Sequence, residues 1–209
     1  MSEDHETILA RPQPTIEPPI LQDGHAYTNL GTGTACPSVQ NKDAGGQYIR
    51  VGCNKSTTSG RCYRGYFEWN ITGLPVGKNV TNTMLDRLYV KSALSARNCH
   101  IVGFSAGFQP SANTAQNIWN DIQTNLDNNN IFVVDTNVFN TTGAKSVDLG
   151  SSADNDIYTR RNAGQTYWAI AIVYTSETRC SGADHLTTFS SNDNTTPSER
   201  PVLKITHDP

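Results

Sequence analysis

The chain has no long apolar run, no basic block and no familiar catalytic signature. Its longest apolar stretch, Trp168 to Tyr174, is far too short to span a bilayer. Nothing near Met1 resembles the apolar core of a signal peptide, so either an export signal has been removed or the protein reaches its destination by another route. With a net charge of −3 and only 17% charged residues, there is no cationic patch to hold a nucleic-acid backbone. There is no GxSxG, HExxH, P-loop or Gly-rich dinucleotide fingerprint. The five histidines, His5, His25, His100, His185 and His207, lie far apart, and Cys99 and His100 would face opposite ways in a strand. These absences make a non-enzymatic protein the expectation, with no cofactor, no nucleic-acid partner and no membrane span.

What is present suits one all-β domain. A chain of 209 residues with 36% hydrophobic content can bury one good core. Abundant Asn, Ser, Thr and Gly favour a loop-rich β protein over a helical one. The clearest stretch is Arg64 to Val90, RGYFEWNITGLPVGKNVTNTMLDRLYV. Phe67, Trp69 and Ile71 alternate with Tyr66, Glu68 and Asn70, as in a half-buried strand, and Gly73, Pro75 and Gly77 stop it. After the turn, Met84, Leu88 and Val90 alternate with Leu85, Arg87 and Tyr89, which leaves Asp86 on the apolar side. It needs a cation such as Arg87 or Arg64, or the strand phase is off by one.

Elsewhere, His25 to Asn29, Tyr48 to Val51, His100 to Phe108, Ile131 to Val134, Lys145 to Leu149, Leu186 to Ser190 and Val202 to Thr206 read as strands. Tyr167 to Tyr174 is apolar on both alternating faces, marking a central strand covered on each side. Ala115, Ile118, Trp119, Ile122 and Leu126 predict one amphipathic helix over an edge or end of the sandwich, started by Ser111-Ala112-Asn113. A second short helix is expected from Ser151 to Arg161, stopped at Gly164. Residues 1–22 hold four of the ten prolines and no hydrophobic periodicity. They read as an extended arm that can be ordered only by packing on its own domain, residues 23–209, or on a neighbouring subunit.

The five cysteines lack the paired spacing of a structural zinc site. A disulfide reading joins Cys53 to Cys62 across the polar loop NKSTTSGR, with Cys99 and Cys180 as a second pair and Cys36 left over. The alternative is that several are small buried thiols. Five Asn-x-Ser/Thr sequons, at Asn54, Asn70, Asn79, Asn140 and Asn194, are what so much Asn, Ser and Thr produces by chance.

Two ligand classes are worth weighing. Asp154-Asn155-Asp156, Asp127 to Asn130 and Asn192-Asp193-Asn194 place hard oxygens where calcium could use them, with Asp154 and Asp156 the first choice, although Asp and Asn also favour turns and helix starts. For glycans, Tyr63 and Tyr66 beside Arg64 and Glu68 would make an aromatic platform if exposed. Buried, the same side chains would be core.

Three segments in order resemble the DNRLRE (disaggregatase-related) family of carbohydrate-binding-module-like domains. They are YFEWNITGLP with VTNTMLDRLYV, then SVDLGSSADNDIYTRRNAGQTYWAIAI, then TTFSSNDNTTPSERPVLKITH. The resemblance implies a jelly-roll-like antiparallel β-sandwich serving as an accessory or surface module. The leading expectation is therefore a surface-exposed structural or adhesive protein, extracellular or on a virion. In its most concrete form it is a capsid decoration or fibre protein, or a filament component, fastened to neighbouring subunits through its N-terminal arm. The alternative is a secreted carbohydrate-binding module with surface glycans as partners.

Overall fold

A computed structural model describes residues 12–28, 36, 39–54, 60–95, 97–175 and 184–209. Its strands are β1 (Thr15–Ile16), β2 (Ile20–Thr28), β3 (Val39–Asp43), β4 (Tyr48–Cys53), β5 (Cys62–Asn70), β6 (Val80–Leu94), β7 (Cys99–Gly103), β8 (Ile131–Thr136), β9 (Gly143–Asp148), β10 (Tyr167–Tyr174), β11 (His185–Ser190) and β12 (Val202–His207). Helix α1 spans Ala115–Asp127 and α2 spans Gly150–Asn162. The strands pair antiparallel in the order β1-β12-β6-β11-β4-β5-β10-β7-β8, with β9 against β6 and β2 between β5 and β3. This one sheet curls on itself as a half-barrel, the all-β, sandwich-like architecture expected. The curl lets both halves bury the same face.

The inner face is apolar. Phe67 and Trp69 of β5, Trp168, Ile170 and Ile172 of β10, Leu85, Leu88 and Val90 of β6, and Leu203 and Ile205 of β12 share one cluster. The β5–β10 register sets Trp69 against Trp168 and Phe67 against Ile170. Gly65 matters here, because a Cβ at this position would stand 2.8 Å from Ile49 and Val51 of β4. Its missing side chain lets β4 cross close over β5. Helix α2 adds Ala153 and Ile157 to the same cluster, and Gly164, at φ +83, ends it as expected.

The outer face of β5, β10 and β7 is covered too. On β10, Ala169, Ala171 and Val173 point outward, and small side chains there leave room for a helix. Ile118 and Ile122 of α1 pack on them together with Tyr66, Val102 and Phe104. Helix α1 thus lies over a sheet face, not over an edge or end as its apolar stripe alone suggested. Its N-cap is Thr114, whose Oγ1 accepts from the Asn117 N–H at 3.3 Å. Because of this cover β5 is buried on both sides, where alternation alone predicted a half-buried strand.

Asp86 is explained by a bulge. Leu85 and Leu88 both face the core, and the β6–β9 register shifts between them. The extra residue resets the strand phase. The expected phase therefore holds from Leu88 onward and is off by one before it. Asp86 turns outward to Lys204 Nζ at 3.0 Å, not to Arg87 or Arg64.

The described part of the Pro-rich arm packs on its own domain. Thr15 and Ile16 pair with Thr206 and Ile205, while Ile16 and Ile20 rest on the inner core. β2 already begins at Ile20.

Candidate functional site

The outward-phase residues of β5 are Cys62, Arg64, Tyr66 and Glu68, and each is engaged inside the molecule. Arg64, 2% exposed, donates to the Trp119 carbonyl at 2.9 Å and to Gln123 Oε1 at 2.6 Å, with its guanidinium 4.1 Å from the Trp119 ring centre. Glu68, fully buried, accepts from Gln109 Nε2 at 2.9 Å, the Ser111 N–H at 2.8 Å and Ser111 Oγ at 3.0 Å. Lys42 of β3 donates to the carbonyls of Pro110, Ser111 and Asn113, and burial lowers its pKa. The Tyr66 hydroxyl donates to Gln22 Oε1 at 3.1 Å, and burial raises its pKa. Arg64, Glu68 and Lys42 thus fasten α1 and the turn before it onto the sheet, while the Tyr66 hydroxyl ties β5 to β2.

This arrangement corrects the glycan platform. Tyr63, Tyr66, Arg64 and Glu68 are all buried, because α1 covers the outer row and the Tyr63 ring packs inward near His25 and Tyr27. Sugar stacking needs an exposed ring face, and these four residues do not offer one.

Asp154 and Asp156 do not form a pair either. Two residues apart on α2, their side chains diverge by about 200°. Asp156 accepts from Arg160 Nε at 2.9 Å and from Trp168 Nε1 at 2.8 Å, tying α2 to β10. Asp154 lines a separate hollow of about 240 Å³ with Asn79, Val80, Ser151, Asn155 and Tyr158. Burial there raises its pKa, partly offset by Thr83. A calcium ion wants six or more oxygens, and these two carboxylates do not converge on one point. Among the described residues, no three His, Cys, Asp or Glu side chains gather as metal ligands.

The best-formed polar site was missed by sequence reasoning. Asp23 of β2 pairs across the ladder with Phe67, so it faces inward at the margin where the core gives way to the turn after β11. Only 3% exposed, its Oδ2 accepts from the Asn192 N–H at 2.6 Å. A polar hollow of about 210 Å³ lies beside it, lined by Ile20, Leu21, Gln22, Ala44, Asn192 and Asp193. Desolvation pushes the Asp23 pKa up to about 7, the Asn192 N–H opposes the rise, and the Asp193 charge adds to it. Two residues along, His25 is 2% exposed, and burial pulls its pKa down to about 4. The oxygen-rich Asn192-Asp193-Asn194 turn was the one sequence signal near this site.

The disulfide pairing also differs from expectation. Cys62 is bonded to Cys36, with a Cα–Cα distance of 5.8 Å. Cys53 does stand opposite Cys62 in the β4–β5 register, as the loop implied, yet it is not Cys62's partner, though it too is disulfide-bonded. Loop spacing brings two thiols near each other without revealing that a third reaches the same point. Cys36 is therefore not the spare thiol. Cys99 is free, because its β7 position turns it into the inner core, where burial raises its pKa to about 12. Cys180 lies outside the described residues.

These features define an all-antiparallel, sandwich-like β domain with a helix fastened over one sheet face. No family model matches the chain, and no curated protein matches it.

Proposed function

We propose that this chain is a structural protein of an oxidising exterior, a component of a virion surface or an extracellular filament. The observation that carries the reading is covalent. Cys36 is bonded to Cys62 and Cys53 is also oxidised, and such bonds persist outside reducing compartments. The polar side chains on the outer sheet support it, since they are spent on holding the domain together. The resemblance to DNRLRE domains agrees with a surface module.

In this reading the sandwich is the displayed body, and the contact with neighbouring subunits falls to residues 1–11, upstream of the segment paired with β12. The test compares the full chain with a form lacking residues 1–11, by sedimentation and electron microscopy. Assembly by the full chain and a folded, unassembled truncated form is the expected result. Equal assembly by both would sink the anchoring role. A panel of polysaccharides run beside it tests the carbohydrate-binding alternative, which no longer has its aromatic platform.

A further inference from the structure

We propose that Cys62 is a shared sulfur that a dithiol reductant moves from Cys36 to Cys53, so that this disulfide cluster works as a redox switch. The register carries the argument. Cys53 stands opposite Cys62 in the β4–β5 ladder, and the neighbouring Asn54 N–H donates to the Arg61 carbonyl at 3.1 Å. Antiparallel pairs alternate, so Cys53 and Cys62 form the close, non-hydrogen-bonded kind of pair, with Cα atoms about 4.5 Å apart. The Cys62 N–H points the other way, to Thr28 Oγ1 of β2 at 3.0 Å, as that pairing requires. Disulfides span Cα separations of roughly 4.4 to 6.8 Å, which admits Cys53 as well as Cys36, now bonded at 5.8 Å. Cys62 thus has two partners within reach and one bond to share.

The surroundings favour exchange. On the other side of β4, His185 of β11 stands opposite Cys53. The Ser95 carbonyl, 2.7 Å from Nδ1 of His185, can only accept, so Nδ1 carries the proton and Nε2 accepts from Arg97 at 3.1 Å. A fixed cation on that side favours the Cys53 thiolate, the attacking form. Cys53 and Cys62 are 6% and 3% exposed, whereas Cys36 is only half-buried, so the sulfur expelled is the one that water solvates best.

The step balances. Cys53 is oxidised in the folded protein, and a dithiol supplies the two electrons that open its bond, itself becoming a disulfide. The Cys53 thiolate then attacks Cys62 Sγ. The Cys53–Cys62 bond forms, the Cys36–Cys62 bond breaks, and Cys36 leaves as a thiolate that takes a proton from water. The tie from β5 to the chain joining β2 and β3 is lost, and a clasp between β4 and β5 replaces it.

The experiment treats the folded full chain with one equivalent of dithiothreitol, quenches it with a maleimide at low pH, and maps the cysteines by mass spectrometry after tryptic digestion. Cleavage at Lys42, Arg50, Lys55 and Arg61 puts Cys36, Cys53 and Cys62 on separate peptides. Chains with a Cys53–Cys62 bond and a labelled Cys36 should exceed those that keep Cys36–Cys62 with Cys53 labelled by at least about tenfold, since the ladder holds the two sulfurs together. The reverse excess, or Cys36 and Cys62 labelled together, would overturn the exchange. A mixture of untouched and fully reduced chains would overturn it too, because a shared sulfur must pass through the intermediate with one bond.

Discussion

The two faces of β5 are equally buried and differently built. Inward, Phe67 and Trp69 pack in an apolar cluster whose stability comes from area and fit. Outward, Cys62, Arg64, Tyr66 and Glu68 are held by a disulfide, a bidentate cation, a hydroxyl and a three-donor carboxylate. A polar row on a strand usually signals solvent. Here it signals a second layer attached by specific bonds, and the side chains that looked like a ligand platform are the attachment.

Four changes break or sharpen this contrast. Trp69→Ala on the inner face should be the most severe, costing about 4 kcal/mol through the cavity it leaves and lowering the urea midpoint of the whole domain. Cys36→Ser should cost about 3.5 kcal/mol by freeing a loop of 26 residues, and reduction of the wild type, which also breaks the bond at Cys53, should cost more. Glu68→Ala on the outer face should cost about 3 kcal/mol, because three donors are left buried without their acceptor. Asp86→Ala, at the outward bulge, should change stability by less than about 0.5 kcal/mol, because its pair with Lys204 is half-exposed.

The margin of the inner face adds a pH test. Asp23 titrates at about 7 when folded and near 3.8 otherwise, so its contribution to stability is full below that lower value and declines by about 4 kcal/mol as pH rises through 7. His25 runs the other way. Its pKa falls from 6.5 to about 4 on folding, so stability grows by about 3 kcal/mol as pH rises across that window. The two slopes nearly offset between pH 4 and 6.5. Wild type should therefore show a nearly flat urea midpoint there, Asp23→Asn a rising one and His25→Phe a falling one. A steep wild-type profile would contradict the pairing of these two groups.

Much of the fold is legible in sequence. The alternation from Tyr66 to Ile71, the doubly apolar run from Tyr167 to Tyr174 and the helical spacing from Ala115 to Leu126 each name an element the structure contains. β3, VQNKD, carries no hydrophobic period and passes unseen, as does the two-residue β1. The bulge after Leu85 inserts a residue that pattern-reading cannot locate, so it appears only as a misplaced Asp86. The site was less legible, for a tertiary reason. Whether Arg64 and Glu68 face water or a helix depends on where α1 docks, and the small Ala169 and Ala171 that admit it lie about a hundred residues away. Asp23 looks like an ordinary polar residue near a strand start until the turn after β11 closes over it.

The most direct test of the fastening role is amide exchange across α1 in Glu68→Ala against wild type. Residues 115–127 should exchange at least about tenfold faster in the variant while Tyr167 to Tyr174 keeps its protection, since about 1.4 kcal/mol of lost local stability is a factor of ten. Unchanged protection of α1 would contradict the claim that the outer row of β5 exists to hold it.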